Sequence, residues 1–564
     1  MKILEIKKMN KSSSFFTLVL SLFGIISLYF TPRLLSFLVV AENWYSFVGV
    51  LLFVFIFNLF FYYLVFNIMV IIFSNITKDK KTNQILPAIV NTNSSVAILY
   101  LTKDDFKESA CLSCVNQKYS NFRVFILDDS TQKENIEKID FFESQHSSVV
   151  QIIRRSDKTG FKAGNINHGL KLISEAFDYF IVSDSDGILP DNFITSISPY
   201  FINDKIGFVQ ACCKSADYEF SGFAHDMSPQ IAIHWNHFMP YHNKYGFVMF
   251  YGHSAMIKTS VWKEVSGFPE VVSEDLAFSS KIRELGYYGI VAEDVWTTEE
   301  VPEDYSRFRK RHEKWVRGTT EYLKKNWFPL IRSKKIPWFE KLDLLSSAFS
   351  MLMSAPFVLF IVLIAFFLPY LFKAFNLSGA MFNLPIASVG KQVSDYLSGF
   401  RYNNYWSLDF YLIVAIGLLY CVIPVFLELW KKPMKFLNHL FISTGIYNSL
   451  TVSSTLSIIS YLITGKTFFP VTGETIKEQG SDSGVFDLRS NSLKVQLVEI
   501  LTGTVLIIVS IISHNLWFLP IAIGSILAVI LLQFEDYSLI KYLLYLPFII
   551  QLFLLMLIGK NIFL

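Results

Sequence analysis

The sequence predicts an α/β domain with a mostly parallel sheet, inserted in a multi-pass α-helical membrane domain. Only 17% of its 564 residues are charged and 52% are hydrophobic, whereas soluble domains carry about 25% charged residues. Even so, 50 Lys and Arg and 47 Asp and Glu are too many for membrane helices alone. Residues 85–330 have the composition of a soluble domain, and long apolar runs lie on both sides of them.

The composition excludes two further classes of protein. A net charge of +3 is too close to neutrality for a nucleic-acid binder, and 55 Phe and 27 Tyr are incompatible with a disordered chain.

The five cysteines include a C-x-x-C at Cys111 and Cys114, which permits a zinc or redox site. Because no second pair or histidine cluster lies at ligand spacing, we expect buried, reduced thiols instead.

Two apolar runs, Phe15–Phe30 and Tyr45–Phe73, predict a transmembrane hairpin within residues 1–84. Each is near the ~20 residues that a membrane-crossing helix needs. No small-residue cleavage site follows the first run, which argues against a signal peptide. Lysines precede the first run and follow the second, so the positive-inside rule places both ends of the hairpin, and the following domain, in the cytosol.

The apolar runs that return after the soluble region predict interface helices and two spans in residues 331–464, a cytosolic loop at 465–493 and C-terminal spans in 494–564. Together with the hairpin, these runs predict seven membrane spans and a C-terminus on the outer side. The five later runs are Leu345–Leu371, Phe410–Leu429, Val495–Ile512, Trp517–Leu532 and Tyr542–Ile558. The stretch Met434–Thr464 is apolar but rich in Ser, Thr and Asn. It predicts a helix along the interface or beside a polar path, with a bundle-buried span as the alternative.

Between residues 85 and 330, short apolar runs alternate with helical patterns, which predicts right-handed βαβ units and a mostly parallel sheet. The runs are near-continuously apolar, as in strands buried on both faces. They are Val96–Leu101, Phe122–Leu127, Val149–Ile153 and Tyr179–Ser183.

Carboxylates follow three of these strands, at the edge where ligands bind in parallel sheets. They are Asp104 and Asp105, Asp128 and Asp129, and Asp184 and Asp186. Asp184-Ser185-Asp186 is a D-x-D, which is weak evidence alone because many turns contain it. Two carboxylates so placed could hold Mg²⁺ or Mn²⁺ together with substrate phosphate oxygens.

Further motifs lie downstream of the third strand. The segment KAGNIN (Lys162–Asn167) could bring a lysine and backbone N–H groups to a diphosphate, or could be an ordinary helix start. A basic helix, Arg307–Gly318, carries Arg311 and Trp315 on one face. Such a helix could contact lipid headgroups, or its indole could support a sugar ring.

Taken in order, the motifs resemble those of the processive membrane glycosyltransferases of family 2, such as cellulose, hyaluronan and chitin synthases. They are DDS (Asp128–Ser130), KAGNIN, DSD (Asp184–Asp186), FYGHS (Phe250–Ser254), SED (Ser273–Asp275) and RHEKW (Arg311–Trp315). The stretch Phe469–Glu474 also resembles the F-x-V-T-x-K gating loop of cellulose synthases. The resemblance implies a glycosyltransferase-A-like domain that binds a nucleotide sugar and Mg²⁺ or Mn²⁺.

The resemblance also implies a role for each matching residue. Asp275 would be the catalytic base. The donor nucleotide would be bound by Thr102, Asp104, Asp128, Asp129, Lys162, Asp184, Arg311 and Lys314, and the metal by Asp184 and Asp186. The acceptor would contact Trp315, Tyr251, His253 and Glu274. The gating loop would use Phe469, Val471 and Thr472.

Three departures from the family pattern matter. The motif Q-x-x-R-W is here R-x-x-K-W, and a lysine cannot form a bidentate fork to phosphate. Glu474 stands where the family has Lys, which puts nucleotide-triggered loop insertion in doubt. The third departure is His253, which either replaces the Cys of the family motif F-F-C-G-S or is inserted beside it.

The expected function is an inverting, UDP-sugar-dependent synthase that polymerises a β-linked polysaccharide on the cytosolic side of the cell membrane and translocates it. A β-glucan made from UDP-glucose is the first choice, and other UDP-sugars remain open. One alternative is transfer of a single sugar to a lipid or glycolipid acceptor. Another is a transporter or channel with a nucleotide-sugar-binding domain, which the nearly charge-free spans disfavour. The expected partners are the donor, the growing polysaccharide and the bilayer, with accessory subunits left open.

Overall fold

The computed structural model describes residues 11–35, 38–39, 41, 43–77, 94–216, 221–363, 422–467, 488–512, 518–534 and 536–553. Two helices precede the sheet, α1 (Ser14–Leu35) and α2 (Trp44–Thr77). The strands are β1 (Val96–Thr102), β2 (Phe122–Asp128), β3 (Val150–Arg154), β4 (Tyr179–Asp184), β5 (Ile206–Ser215), β6 (Ala255–Lys258) and β7 (Tyr288–Glu299).

The remaining helices fall into two groups. Those of the sheet domain are α3 (Glu108–Val115), α4 (Lys133–His146), α5 (Phe161–Ile173), α6 (Phe193–Ile197), α7 (Gly222–Met227), α8 (Pro229–His237), α9 (His242–Tyr245), α10 (Thr259–Val265), α11 (Glu274–Glu284) and α12 (Tyr305–Arg332). The later ones are α13 (Trp338–Ser350), α14 (Ser354–Val362), α15 (Pro433–Thr464), α16 (Leu493–Ile512), α17 (Leu519–Gln533) and α18 (Tyr537–Ile540).

The seven strands form one sheet in the order β3-β2-β1-β4-β6-β5-β7. Strands β3, β2, β1 and β4 are parallel, as the sequence predicts, and β5 pairs in parallel with β7. Between them β6 runs antiparallel to both β4 and β5. The prediction of a mostly parallel sheet is therefore confirmed, and the three later strands are an addition to it.

Strand β1 shows why the apolar runs are continuous. Its residues alternate between two hydrophobic cores, with Leu99 in one and Ile98 in the other, and every residue of the strand is buried. The core that contains Leu99 also contains Ile446 of α15. One face of the sheet domain is therefore continuous with the packing of the apolar helices.

Within the part of the chain that the structure describes, four helices are long and apolar enough to cross a membrane, namely Ser14–Pro32 within α1, then α2, α15 and α16. The pair α13 and α14 also qualifies if counted as one span with a 61° bend, whereas α17 is shorter. These helices contain the apolar runs Phe15–Phe30, Tyr45–Phe73 and Val495–Ile512. Most of the run at Phe410–Leu429 and the predicted gating residues Phe469, Val471 and Thr472 lie outside the described residues.

The polar-rich stretch predicted as an interface helix forms the single helix α15. Its hydroxyl groups bond inward, to its own backbone and to α12, because Ser449 Oγ lies 2.8 Å from Tyr305 Oη and Ser457 Oγ donates to Glu313 Oε1 at 3.4 Å. This contact joins the sheet domain to the apolar helices. It fits a helix buried in the bundle or beside a polar path better than a helix on a lipid surface.

Candidate active site

A cavity of about 2090 Å³ opens at the carboxyl edge of the sheet and continues among the apolar helices. The residues that line it include Thr102, Asp104, Asp129, Lys162, Asp184, Asp186, Tyr251, His253, Glu274, Asp275, Arg311, Lys314 and Trp315. Parallel strands end at this edge, so residues far apart in sequence meet there. All the described residues to which the sequence assigns a site role, apart from Asp128, border this one cavity.

The centre of the cavity is a hollow between the D-x-D and the SED motif. Lys162 Nζ donates to Asp184 Oδ1 at 2.6 Å. A methyl group on Gly252, which has φ +86°, would lie 3.5 Å from Lys162 Nζ, 3.7 Å from Asp275 Oδ2 and 3.8 Å from Glu274 Oε1. A glycine is needed here because the backbone conformation disfavours other residues. Its small size also keeps the hollow open.

Glu274 and Asp275 form a buried carboxyl pair at the start of α11. Burial and the charge of Asp275 raise the pKa of Glu274 to about 7. Burial also raises the pKa of Asp275, although a hydrogen bond from the Leu276 N–H and the charge of Lys314 oppose the rise. The two groups titrate together. A carboxyl group with a raised pKa, facing a cavity, is a suitable proton acceptor.

The two lysines of the hollow respond differently to the same carboxylates. Burial alone would lower the pKa of Lys162, but Asp184 and Glu274 outweigh burial and raise it. Burial lowers the pKa of Lys314, with Glu274 opposing that effect and Lys162 adding to it. The hollow therefore places two lysines among three carboxylates, so an anionic ligand would need a bound cation beside it to balance the charge.

Asp186 is the carboxylate that most clearly lacks a cation. It makes no hydrogen bond or ion pair with any described residue, and burial, Asp184 and Glu299 together raise its pKa to about 6. Oxygen ligands of this kind are those that Mg²⁺ and Mn²⁺ prefer. Asp184 and Asp186 thus fit a hard divalent cation.

The acids after β1 and β2 are held by the protein itself. Asp104, at φ 60°, accepts hydrogen bonds from the backbone N–H groups of Thr131 and Gln132 at 2.7 Å. Arg155 forms a two-pronged ion pair with Asp129, with Nε–Oδ1 2.9 Å and Nη2–Oδ2 2.7 Å. These bonds shape the edge of the cavity, because each carboxylate fixes a loop that borders it.

Asp128 is the one assigned site residue, among those described, that does not line the cavity. It is 2% exposed, and its carboxylate accepts from Arg154 Nε at 2.6 Å and from the Ser130 N–H at 2.8 Å. Its position beside the neighbouring strand favours a structural contribution to the loop over direct contact with a ligand.

The KAGNIN segment is the start of a helix, the second of the two possibilities that the sequence allows. It lies inside α5, which begins at Phe161 after the left-handed Gly160. A side chain at Gly164 would lie 2.2 Å from the Thr159 carbonyl oxygen and 2.7 Å from Arg155 Nη1. The glycine therefore allows close packing of α5 against its preceding loop, and Lys162 and Asn165 of the segment line the cavity.

Asp304 caps the start of the basic helix α12, because its side chain accepts a hydrogen bond from the Arg307 N–H at 2.8 Å. Its side chains Arg311, Lys314 and Trp315, here called the cavity face, line the cavity. The Arg311 guanidinium carbon lies 5.0 Å from the centre of the Trp315 ring, a cation–π contact. The predicted sharing of one face is confirmed.

Several cavity residues were not predicted. Lys158 donates to the Asp129 and Ser130 carbonyl oxygens at 2.7 and 2.8 Å. Glu299 ends β7 and lies 3.3 Å from His253 Nε2. The rule that found the other acids, a carboxylate at the end of a strand, would have found Glu299 had β7 been predicted.

The four described cysteines, Cys111, Cys114, Cys212 and Cys213, are buried thiols, as expected. Burial raises the pKa of Cys111 and Cys114, with Cys114 at about 12. The C-x-x-C therefore lacks the low-pKa thiol of a redox motif.

Residues 179–388 match the family model described as glycosyl transferase family group 2. The match contains the D-x-D, FYGHS, SED and RHEKW motifs, all of which contribute residues to the cavity.

Curated plant proteins also resemble this chain. The probable glucomannan 4-beta-mannosyltransferase 15 of Arabidopsis thaliana is 23% identical over 241 residues, which are 40% of this chain and 43% of that protein. The probable glucomannan 4-beta-mannosyltransferase 3 of Oryza sativa subsp. japonica is 25% identical over 228 residues, 38% of this chain and 40% of that protein. The matched region thus spans less than half the length of these relatives.

Among solved structures, the mannosyltransferase PcManGT from Pyrobaculum calidifontis, in complex with GDP-Man and Mn²⁺, overlaps 69% of this chain and 99% of its own, with 15% identity and a TM-score of 0.41. Residues 179–388 thus match a family 2 glycosyltransferase model, and they include strands β4 to β7 of the mixed, mostly parallel sheet.

Proposed function

We propose that this protein is a membrane-embedded, inverting glycosyltransferase that polymerises a β-linked polysaccharide from a nucleotide-diphosphate sugar on the cytosolic side. The observation that carries the proposal is the continuity of the cavity. It extends from Asp184 past Asp275 and Trp315 to Asn67 of α2 and Thr444 of α15. A volume of about 2090 Å³ exceeds the roughly 300–1,000 Å³ of a site for one small ligand. It has room for a donor and an acceptor chain together.

In this proposal the donor lies at the sheet edge. Lys162, Arg311 and Lys314 face the diphosphate, where fixed cations stabilise the charge that develops as it leaves. Asp184 and Asp186 would hold Mg²⁺ or Mn²⁺, which neutralises diphosphate oxygens when bound. Asp104 and Asp129 border the nucleoside region through the loops that they fix.

Asp275 acts as the base from the other side of the hollow. It takes the proton from the acceptor hydroxyl as the bond from that oxygen to the sugar C1 forms. The bond from C1 to the diphosphate oxygen breaks, and the nucleoside diphosphate leaves with the electron pair. A single displacement inverts the configuration at C1, so an α-linked donor yields a β-glycoside. Trp315 supports the acceptor ring.

The sugar is a hexose in this proposal. The names of the plant relatives favour a mannosyl donor, whereas the likeness of Phe469–Glu474 to the cellulose synthase loop favours UDP-glucose. Release of the product between the apolar helices is part of the proposal, because the cavity reaches α2 and α15.

The test uses the full-length protein in detergent or nanodiscs with labelled UDP-glucose, UDP-galactose, UDP-N-acetylglucosamine or GDP-mannose, and Mg²⁺ or Mn²⁺. We expect one donor to yield a high-molecular-mass product that an endo-β-glucanase or an endo-β-mannanase digests. A small glycolipid would instead establish single-sugar transfer, and no consumption of any donor would overturn the proposal.

Two variants test the proposed roles separately: Asp275→Asn removes the base, and Asp186→Asn removes a proposed ligand of the divalent cation. Loss of the base should reduce transfer by about 10²- to 10⁴-fold while nucleotide binding persists. The Asp186→Asn variant should lose the dependence of nucleotide binding on the divalent cation. Full activity of Asp275→Asn would show that another group is the base.

A further inference from the structure

Cys213, His253 and Glu299 meet beside the D-x-D edge, although they come from three parts of the chain. One ligand atom of each, the Cys213 sulfur, a His253 ring nitrogen and a Glu299 carboxylate oxygen, lies within 4.8 Å of the other two. His253 Nε2 is 3.3 Å from Glu299 Oε2. Among the described residues, this is the group of three His, Cys, Asp or Glu side chains whose ligand atoms are all close enough to hold one metal ion together.

The sheet holds the three residues in place. Cys213 lies on β5 opposite Thr297 of β7, and Glu299 is the last residue of that same strand. His253 directly precedes Ser254 and β6, and β6 pairs with β5. Residues on paired strands keep their spacing with little conformational entropy to lose when a ligand binds, which favours a preformed site.

A second layer of hydrogen bonds orients the imidazole and the thiol. His253 Nδ1 lies 3.0 Å from Ser254 Oγ, which also accepts from Thr297 Oγ1 at 3.0 Å. Thr297 Oγ1 is in turn 3.2 Å from Cys213 Sγ. A metal-binding histidine typically uses its other ring nitrogen for such a contact. Here Nδ1 faces Ser254, and Nε2 faces the carboxylate.

The group also has an entry path. His253 and Glu299 line the large cavity, whereas Cys213 is fully buried behind them. An ion arriving from the cavity would meet the imidazole and carboxylate first and the sulfur last, and it would keep one coordination position toward the cavity. Three protein ligands and one further position are the arrangement of reactive or exchangeable zinc sites.

We propose that Cys213, His253 and Glu299 bind a zinc-class transition-metal ion, at a site separate from the hard-cation site of Asp184 and Asp186. Sulfur and imidazole ligands select Zn²⁺ and similar ions, whereas carboxylates alone suit Mg²⁺ and Mn²⁺. Bonds of about 2.0–2.3 Å require only a small contraction of the present spacing. The inference does not depend on which sugar the enzyme transfers.

The probe is Co²⁺, because a thiolate bound to Co²⁺ gives a near-ultraviolet charge-transfer absorption that an oxygen-only site does not. Full-length protein in detergent is treated with a chelator, dialysed and titrated with Co²⁺ and then Zn²⁺. We expect one equivalent of the thiolate absorption, displaced by Zn²⁺. It should be absent in Cys213→Ser, and Co²⁺ should bind at least about 10- to 100-fold more weakly in His253→Gln and Glu299→Gln.

Three control variants separate this site from other thiols and carboxylates. Cys212→Ser, the double variant Cys111→Ser with Cys114→Ser, and Asp186→Asn should all keep the absorption. Its absence from the wild-type protein would overturn the proposal, as would its persistence in Cys213→Ser or its loss in the double variant. If Cys213→Ser does not fold, unchanged Co²⁺ affinity in both His253→Gln and Glu299→Gln would overturn it equally.

Discussion

Helix α12 carries charged side chains on two faces, one directed toward the cavity and the other buried against the rest of the fold. On the cavity face, Arg311 forms no ion pair with a described residue, and Trp315 is 42% exposed. On the other side, Arg309, Glu313 and Arg317, here called the anchor face, are almost fully buried. Arg317 Nε donates to Glu313 Oε1 at 2.9 Å, and the Arg309 guanidinium lies 2.9 Å from Glu499 of α16.

The anchor face also reaches the chain on either side of residues 468–487. Arg317 donates to the Lys466 carbonyl oxygen at 3.4 Å and to the Leu488 carbonyl oxygen, while Glu313 Oε2 accepts from the Ser490 N–H at 2.9 Å. A buried charge needs partners to compensate for lost hydration. The anchor face finds them within the fold, whereas the cavity face is directed to the space where we propose that substrate binds.

The largest expected effect is the loss of an anchor charge. Arg317→Met leaves Glu313 buried without its ion-pair partner, which typically costs about 3–5 kcal/mol. We therefore expect a marked drop in the thermal unfolding midpoint of the detergent-solubilised protein. Arg311→Met is the matched control, since it makes the same chemical change on the same helix but removes a charge from the cavity face.

Arg311→Met should unfold near the wild-type temperature. Equal destabilisation by both variants would show that the two faces do not differ in the way described.

The second expected effect concerns activity without loss of stability. Lys314→Met removes one of the cations proposed to face the diphosphate, and loss of one such group typically lowers kcat by about 10²- to 10³-fold. The measurement is the initial rate of sugar transfer at saturating donor. Lys325→Met is the control on the same helix, because Lys325 is half exposed and pairs with Glu321. Wild-type kcat in Lys314→Met would contradict the assignment of the cavity face.

The smallest expected effect is on the pH profile. Ionised Glu274 strengthens Asp275 as a base, and the pKa of Glu274 is raised to about 7 by burial and by Asp275. In the wild type, kcat/KM should therefore rise by less than about tenfold as the pH passes through 7. In Glu274→Gln this step should disappear, because the amide resembles the protonated acid at every pH.

The raised pKa of Asp275 has its own consequence at lower pH. Protonation of the base would make kcat/KM fall at a pH above the usual range for an aspartate, in both wild type and Glu274→Gln. A step near pH 7 that survives in Glu274→Gln would assign that titration to a different group.

The apolar runs predicted the first half of the sheet correctly, because β1, β2 and β4 are largely buried on both faces and each of the first four strands is followed by a polar turn. The same local pattern did not reveal β6, which has only four residues. It did not reveal β7 either, whose residues alternate in burial only near its end. Glu299 was missed as a consequence.

For the carboxylates at the sheet edge, too, the sequence predicts their position but not their partners. Their position at the sheet edge follows from sequence, since an acid directly after a strand must lie there. Their partners do not, because Arg154 and Arg155 are 26 residues from Asp128 and Asp129. Long-range pairing makes Asp128 a buried support and leaves Asp186 without a protein partner.

The sequence by itself determined that this protein has apolar spans, a βαβ sheet and a set of glycosyltransferase motifs, since each depends on neighbouring residues. Only the tertiary structure decided which charges of α12 are compensated and which face the cavity. It alone also brought Cys213, His253 and Glu299 together. The reason is that charge compensation and shared coordination depend on distances across the fold, and local patterns do not contain those distances.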